Sequence, residues 1–288
     1  MSAPPLLAST REELRSALAA RSGPVALVPT MGALHVGHAA LIDTARARVG
    51  PGAPVVVSVF VNPMQFAPGE DLDRYPRTLE TDLEVCAAHG VDVVFVPSVD
   101  EVYPGGDPQV TVDPGPLGRV LEGGSRPTHF AGVLTVVAKL FGLVRPDVAV
   151  FGQKDYQQLT LVRRMVDDLC LGIDVVGAET VREDDGLALS SRNRFLGPEE
   201  RRRALALADA LSAARDAASA GADAALAAAD EVLGAAEGVD LDYVRLTAPD
   251  LGPAPTTGEA RLLVAARVGT TRLIDNTALE LGAGNLPR

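Results

Sequence analysis

A chain of 288 residues with 47% hydrophobic side chains can build a full core, in one large domain or two smaller ones, without covalent staples. Its formal net charge of −12 argues against a broad nucleic-acid surface, which needs clustered cations to displace counterions, and leaves room only for a local basic pocket. Two cysteines, Cys86 and Cys170, argue against a disulfide framework, leave room for one bridge and fit a reducing compartment.

No run approaches the roughly 18 apolar residues of a membrane span. The opening "MSAPPLLASTREELRSA" lacks the basic start and apolar middle of a signal peptide, so a cytoplasmic protein with no membrane partner is expected. The first predicted helix lies in "STREELRSALAA", where Ser9 or Thr10 can cap and leucines recur at Leu14 and Leu18. "PVALVP" reads as a short buried strand, followed by a Gly-containing turn and a helix from Gly37 to Val49. "PVVVSVFVNP" is a second buried strand, "LETDLEVCAAHG" a helix closed by Gly90, and "VDVVFVP" a third strand. A helix in "HFAGVLTVVAKLFGLVRP", a strand in "DVAVFG", a helix in "DYQQLTLVRRMVDDL" and a strand in "IDVVGAETV" complete the alternation.

Such alternation predicts an α/β, Rossmann-like, doubly wound parallel sheet over residues 1–179. Ligands of such sheets bind beyond the C-terminal ends of the strands. The first, second and fourth predicted strands end at "PTMG", "NPMQF" and "FGQKD", the polar segments richest in chemically useful groups. After Glu179 the composition changes. Alanine-rich "PEERRRALALADALSAARDAASAGADAALAAADEVLGAA" predicts two packed helices, and "LDYVRL", "ARLLVAARV" and "TRLIDN" predict short strands. Residues 180–288 are therefore expected to form a smaller α+β domain.

Of four histidines, His35 and His38 sit three apart in "PTMGALHVGHAALI". That spacing near a helix start puts both on one face, where unpaired amides and the positive dipole end suit an anion. Gly32 and Gly37 let backbone approach a ligand closely. Read alone, the pair also fits an ordinary structural role. Zinc is a poorer alternative, because the motif is not H-E-x-x-H and no nearby His, Cys or acidic pair completes a three-ligand set. Only two of 26 basic residues are lysines, which draws attention to Lys154 in "FGQKDYQQL". Gly152 ends a strand there. Lys154 can reach an anion, Asp155 can accept from a ribose hydroxyl, and Gln158 can bond a small polar substrate. "DDGLALSSRNRFL" resembles a mobile phosphate-binding loop, with hydroxyl donors Ser190 and Ser191 and the permanent charge of Arg192, although it also fits a capped polar loop. "NPMQF" adds Asn62 and Gln65, and "SRPTHFAGV" adds Arg126 and His129.

A His-x-x-His after the first strand, with a Ser-Ser-Arg loop after the last, resembles the nucleotidylyl-transferring superfamily that includes class I aminoacyl-tRNA synthetases. Within it, "PTMGALHVGHAALI", "FVNPMQF", "LEGGSRPTHFAGVLTVVAKLF", "FGQKDYQQL" and "VREDDGLALSSRNRFL", through to "GTTRLIDN", resemble the pantothenate synthetase (pantoate–β-alanine ligase) family. The resemblance implies an AMP-forming ligase of pantothenate and coenzyme A biosynthesis that joins pantoate to β-alanine through a pantoyl adenylate. ATP is then a substrate, and Mg2+ binds through its phosphates. By match to the family's motifs, His35, His38, Lys154, Ser190 and Arg192 would be catalytic. Met31, Gly37, Gly152, Asp155, Val181 and Ser191 would complete the ATP site, and Gln65, Gln158, Phe60, Asn62 and Val133 would hold pantoate. The resemblance further implies that residues 180–288 act as a lid, and that two copies pair through the N-terminal domain.

Two departures are visible. "GQKD" stands where the family usually reads G-E-K-D, so Gln153 removes a carboxylate beside Lys154. "LETDLE" is less acidic than in many relatives, so no protein metal ligand is expected there. Other readings are an adenylyl- or cytidylyltransferase acting on a different acid, and a nucleotide-binding protein without catalysis. The acidic charge disfavours an RNA partner.

Overall fold

The computed structural model describes residues 4–19, 21–67, 72 and 75–283. They group into two compact units, one formed by Met1–Gln153 and Gln157–Glu179, the other by Lys154–Tyr156 and Thr180–Arg288.

In the first unit β1 (Leu6–Ala8), β2 (Ala26–Thr30), β3 (Val55–Val59), β4 (Val93–Phe95), β5 (Val148–Gly152) and β6 (Asp174–Ala178) form one sheet in the order β1-β4-β3-β2-β5-β6. All its pairings are parallel, as the α/β reading expects. The intervening helices are α1 (Arg11–Ala19), α2 (Val36–Val49), α3 (Leu79–Ala88), α4 (Val99–Val102), α5 (Glu122–Ser125), α6 (His129–Val144) and α7 (Tyr156–Asp168). The capping question at α1 resolves to Thr10. Its hydroxyl accepts the Glu13 amide at 3.2 Å while the Glu13 carboxylate accepts the Thr10 amide at 3.1 Å. Ala20, the end of that predicted helix, lies outside the described residues.

The sequence reading finds five of these strands and misses β1. It is three residues long, and Leu6 and Leu7 on this sheet edge are each about half exposed, so no buried β-branched run announces it. Val55, Val56 and Val57 of β3 and both valines of β4 are buried because helices cover both faces of a parallel sheet. The chain winds outward from β2 through β3 to β4, then resumes on the other side of β2 with β5 and β6. The reversal lies between β2 and β5, the place where sheets of this kind open a crevice beyond their C-terminal ends.

In the second unit α8 (Pro198–Ala217) and α9 (Ala222–Ala235) precede an antiparallel sheet β7-β8-β9, made of Val239–Thr247, Gly258–Val268 and Thr271–Leu281. Ala204, Ala210, Ala214, Ala225 and Ala229 are buried in one core with Leu207, Leu211, Leu262 and Val264. The alanines let helices approach closely, and the leucines supply most of the apolar area, roughly 1.5–3 kcal/mol for each side chain fully buried. Among the described residues no helix is long and apolar enough to cross a membrane. Cys86 is buried, Cys170 is exposed, and both are free thiols, so the single bridge the sequence allowed is not formed.

Candidate active site

The histidine motif is built by the turn leaving β2. Thr30 donates its hydroxyl to the Ser58 carbonyl at 2.7 Å and accepts the Gly32 amide at 3.2 Å. Gly32 has φ +82°, and a β-carbon there would sit 3.0 Å from both Asp82 Oδ2 and Val59 Cγ1. Ala33 follows at φ +52°, a left-handed conformation that a non-glycine residue adopts only when its surroundings hold it. Asp82, buried on α3, provides that hold by accepting the amides of Ala33 at 3.1 Å and Leu34 at 2.8 Å, and the Thr78 hydroxyl at 3.1 Å.

The turn delivers His35 as the N-cap of α2. Its Nδ1 accepts the Gly37 amide at 3.1 Å, and His38 Nδ1 accepts the His35 amide at 3.3 Å. The two imidazoles thus form a reciprocal capping box, with ring centroids 4.1 Å apart. Because both Nδ1 atoms accept, each neutral ring carries its proton on Nε2. Gly37 lies in the first turn of the same helix.

Beyond β3, Asn62 caps a 3-10 turn over Pro63–Gln65. Asn62 is fully buried. Its Nδ2 donates to Gln65 Oε1 at 3.2 Å and to the Gly132 carbonyl at 3.1 Å, while its Oδ1 accepts the Tyr103 hydroxyl at 2.8 Å and the Met64 amide at 3.3 Å. Those four bonds use its whole amide, so Asn62 holds the turn in place. The ligand contact expected of it has no free donor or acceptor to draw on. Gln65 Nε2 lies 2.9 Å from the Met31 sulfur, joining the turns after β2 and β3. His129 Nδ1 lies 3.0 Å from the Gln65 carbonyl. Helix α6 reaches this turn through Gly132, where a β-carbon would fall 2.3 Å from the Met64 carbonyl oxygen. Phe60 and Val133 are buried.

Gly152 closes β5, in register with Ala178 of β6. The amide of Gln153 donates to the Gly177 carbonyl at 3.1 Å, a bond an ionised glutamate could not donate. The paired glutamines that follow divide their roles. Gln157 is buried, accepting the Glu122 amide at 3.0 Å and donating to the carbonyls of Leu117 and Val120. Gln158 is half-buried.

In the second unit, Lys154 is mostly buried with Nζ 3.9 Å from Asp155 Oδ2. Val181 starts a tight hairpin-like turn: its carbonyl accepts the Leu189 amide at 2.9 Å, and Arg182 bridges to Ala188. Ser190 then caps a 3-10 turn over Ser191–Phe195, its Oγ accepting the Arg192 amide at 3.3 Å. Buried Asn193 donates to Glu183 Oε1 at 2.6 Å, and Arg201 grips Glu183 Oε2 at 2.7 Å. The Arg201 guanidinium, with Asn193, holds the Glu183 carboxyl below its usual range. Ser190, Ser191 and Arg192 therefore emerge from a cross-braced loop.

Sequence reading picked out chemically useful residues after the strand ends and missed the residues that brace them. Asp82 acts on a loop 48 and 49 residues away, and Asn276, whose amide donates to the Lys154 carbonyl, is 122 residues from it. No local pattern signals either. The available hint was a polar residue on the buried side of an otherwise apolar element.

A family model described as pantoate-beta-alanine ligase matches residues 6–278. A pantothenate synthetase of Nocardioides sp. is 68% identical, covering 98% of this chain and 87% of that protein. One from Mycolicibacterium smegmatis is 57% identical, covering 98% and 88%. The crystal structure of a Thermus thermophilus pantothenate synthetase superposes with a TM-score of 0.87 at 50% identity, covering 94% of this chain and 98% of that one. A Francisella tularensis pantoate-beta-alanine ligase, crystallised with beta-gamma ATP and beta-alanine, gives 0.77 at 32% identity, covering 95% and 97%. A match over nearly the whole chain, carried by the same fold, places it: the chain belongs to the pantoate–β-alanine ligase family.

Proposed function

We propose that the chain condenses pantoate with β-alanine at the expense of ATP, giving pantothenate, AMP and pyrophosphate. A pantoate carboxylate oxygen attacks the α-phosphorus and pyrophosphate leaves. The β-alanine amine then attacks the activated carbonyl, and AMP leaves with the carboxylate oxygen. The nucleophiles belong to the substrates, so the protein's work is alignment and stabilisation of charge growing on phosphate oxygens.

The observation that carries this reading is the reciprocal histidine cap. Both Nδ1 atoms are engaged by backbone amides, which seats the two imidazoles side by side at the start of α2, where the helix's amides and positive dipole end suit phosphate. Lys154, Ser190, Ser191 and Arg192 are assigned to the triphosphate, Gly152 and Asp155 to the ribose, and Met31, Gly37 and the Val181 backbone to the nucleotide. Gln65 and Gln158 are assigned to pantoate, with Phe60 and Val133 as apolar walls for its gem-dimethyl group and Asn62 as their support. Among the described residues no three of His, Cys, Asp and Glu gather as a metal cage. Magnesium fits as a hard cation that keeps several waters and travels with the nucleotide, where it supplies neutralising charge. Pairing of two copies through the first unit and a cytoplasmic setting complete the reading.

ATP–pyrophosphate exchange across a panel of acids tests the substrate. Exchange that needs pantoate supports the proposal; exchange with another acid and none with pantoate refutes it. A His38→Ala variant with undiminished exchange refutes the histidine assignment.

A further inference from the structure

Strand β9 carries two adjacent buried polar residues, Asp275 and Asn276, within "GTTRLIDN". Asp275 receives a two-pronged grip from Arg182, whose NH1 lies 2.7 Å from Oδ2 and whose NH2 lies 3.0 Å from Oδ1. Arg182 NH1 also donates to the Gly186 carbonyl at 3.0 Å. This fixes the turn that leads into Ser190–Arg192. Asn276 faces the other element. Its Nδ2 donates to the Lys154 carbonyl at 2.9 Å, and its Oδ1 accepts Arg261 Nε at 2.8 Å. The Arg261 guanidinium lies 3.9 Å from the centroid of the Tyr156 ring, and the Tyr156 hydroxyl donates to the Pro249 carbonyl at 2.9 Å. Lys154–Tyr156 is therefore held at both ends by β8, β9 and the segment before them.

Only an amide meets both demands at position 276, donating to a carbonyl while accepting from a guanidinium; a carboxylate has no donor and an aliphatic chain has neither. A flexible lysine places its ammonium only as well as its backbone is placed. We propose that Asn276 and Asp275 are positioning residues, through which one strand sets both the origin of Lys154 and the loop bearing Ser190, Ser191 and Arg192. The inference rests on the reading of those residues as the phosphate grip.

Asn276→Asp keeps the volume and the acceptor for Arg261 while removing the donor to Lys154. Affinity for the α,β-methylene analogue of ATP, measured by calorimetry on the full chain, is the readout, in the parent and in a Lys154→Ala background. The expected result is a loss of about tenfold in the parent, the scale of one good polar contact, and no further loss beside Lys154→Ala. The same factor in both backgrounds, or a change under about twofold in the parent, overturns the proposal. Full affinity in Lys154→Ala alone overturns the phosphate-grip reading and this inference with it, a result distinct from the first two. Asp275→Asn, set against Arg192→Ala in the same cycle, decides the matter if Asn276→Asp does not fold.

Discussion

The Asp82 carboxylate accepts the Leu34 amide at 2.8 Å, from a helix 48 residues further along the chain. The same carboxylate takes the amide of Ala33, the residue held in the left-handed region, at 3.1 Å. A single buried side chain thus sets the angle at which the chain enters α2, and with it the two histidines. Asp82→Ala would leave two buried amides unpaired, at about 1–3 kcal/mol each. The expected outcome is a lower melting temperature together with a slower adenylation step. Unchanged values of both in thermal unfolding and pyrophosphate exchange would sink this role.

Gly132 is where α6 meets the turn carrying Gln65. An added methyl has backbone, not a flexible side chain, 2.3 Å away. Gly132→Ala should cost about 1–3 kcal/mol in overpacking. It should also raise KM for pantoate more than KM for ATP, since the displaced turn carries Gln65. Equal effects on the two constants would count against that assignment.

Acid sensitivity should centre on Asp92. Burial raises its pKa, but the Val55 amide, Arg46 and Arg21 outweigh burial and hold the carboxyl below its ordinary value. A depressed folded pKa means its contribution is present above the unfolded value near ~3.9 and fades as pH falls through the lower folded one. Denaturant unfolding from about pH 6 to about pH 3 should show a steep acid limb that Asp92→Asn flattens. An identical limb in the variant would contradict the linkage.

The two thiols should differ sharply. Burial, with the nearby Asp82 charge, pushes the Cys86 thiol up to about 12, whereas Cys170 is exposed. Alkylation of native protein followed by peptide mass mapping should label Cys170 alone, with Cys86 labelled only after unfolding. Labelling of Cys86 in the native protein at a comparable rate would contradict its burial.

The runs that became β2 to β6 were legible because a parallel sheet covered on both faces demands continuous β-branched residues, and α8 and α9 because alanine favours helix. Strand β1 was not, since three residues, two of them half exposed, carry no period. At the candidate site, chemically useful residue types could be picked out by their place after strand ends. Their supports could not, because Asp82, Asn276 and Gly132 act through contacts remote in sequence. Asn62 shows a related gap: its amide's hydrogen bonds with Gln65, Gly132, Tyr103 and Met64 are not visible in the motif. Gln153, read as a loss beside Lys154, has its amide on the Gly177 carbonyl, so its placement is set by β6.

The most direct measurement is AMP release from the full chain supplied with ATP, pantoate and β-alanine, compared with each single omission. The account predicts stoichiometric AMP and pantothenate only with all three, and pyrophosphate exchange that survives omission of β-alanine but not of pantoate. AMP release at the full rate without pantoate, or none with the complete mixture, would contradict it.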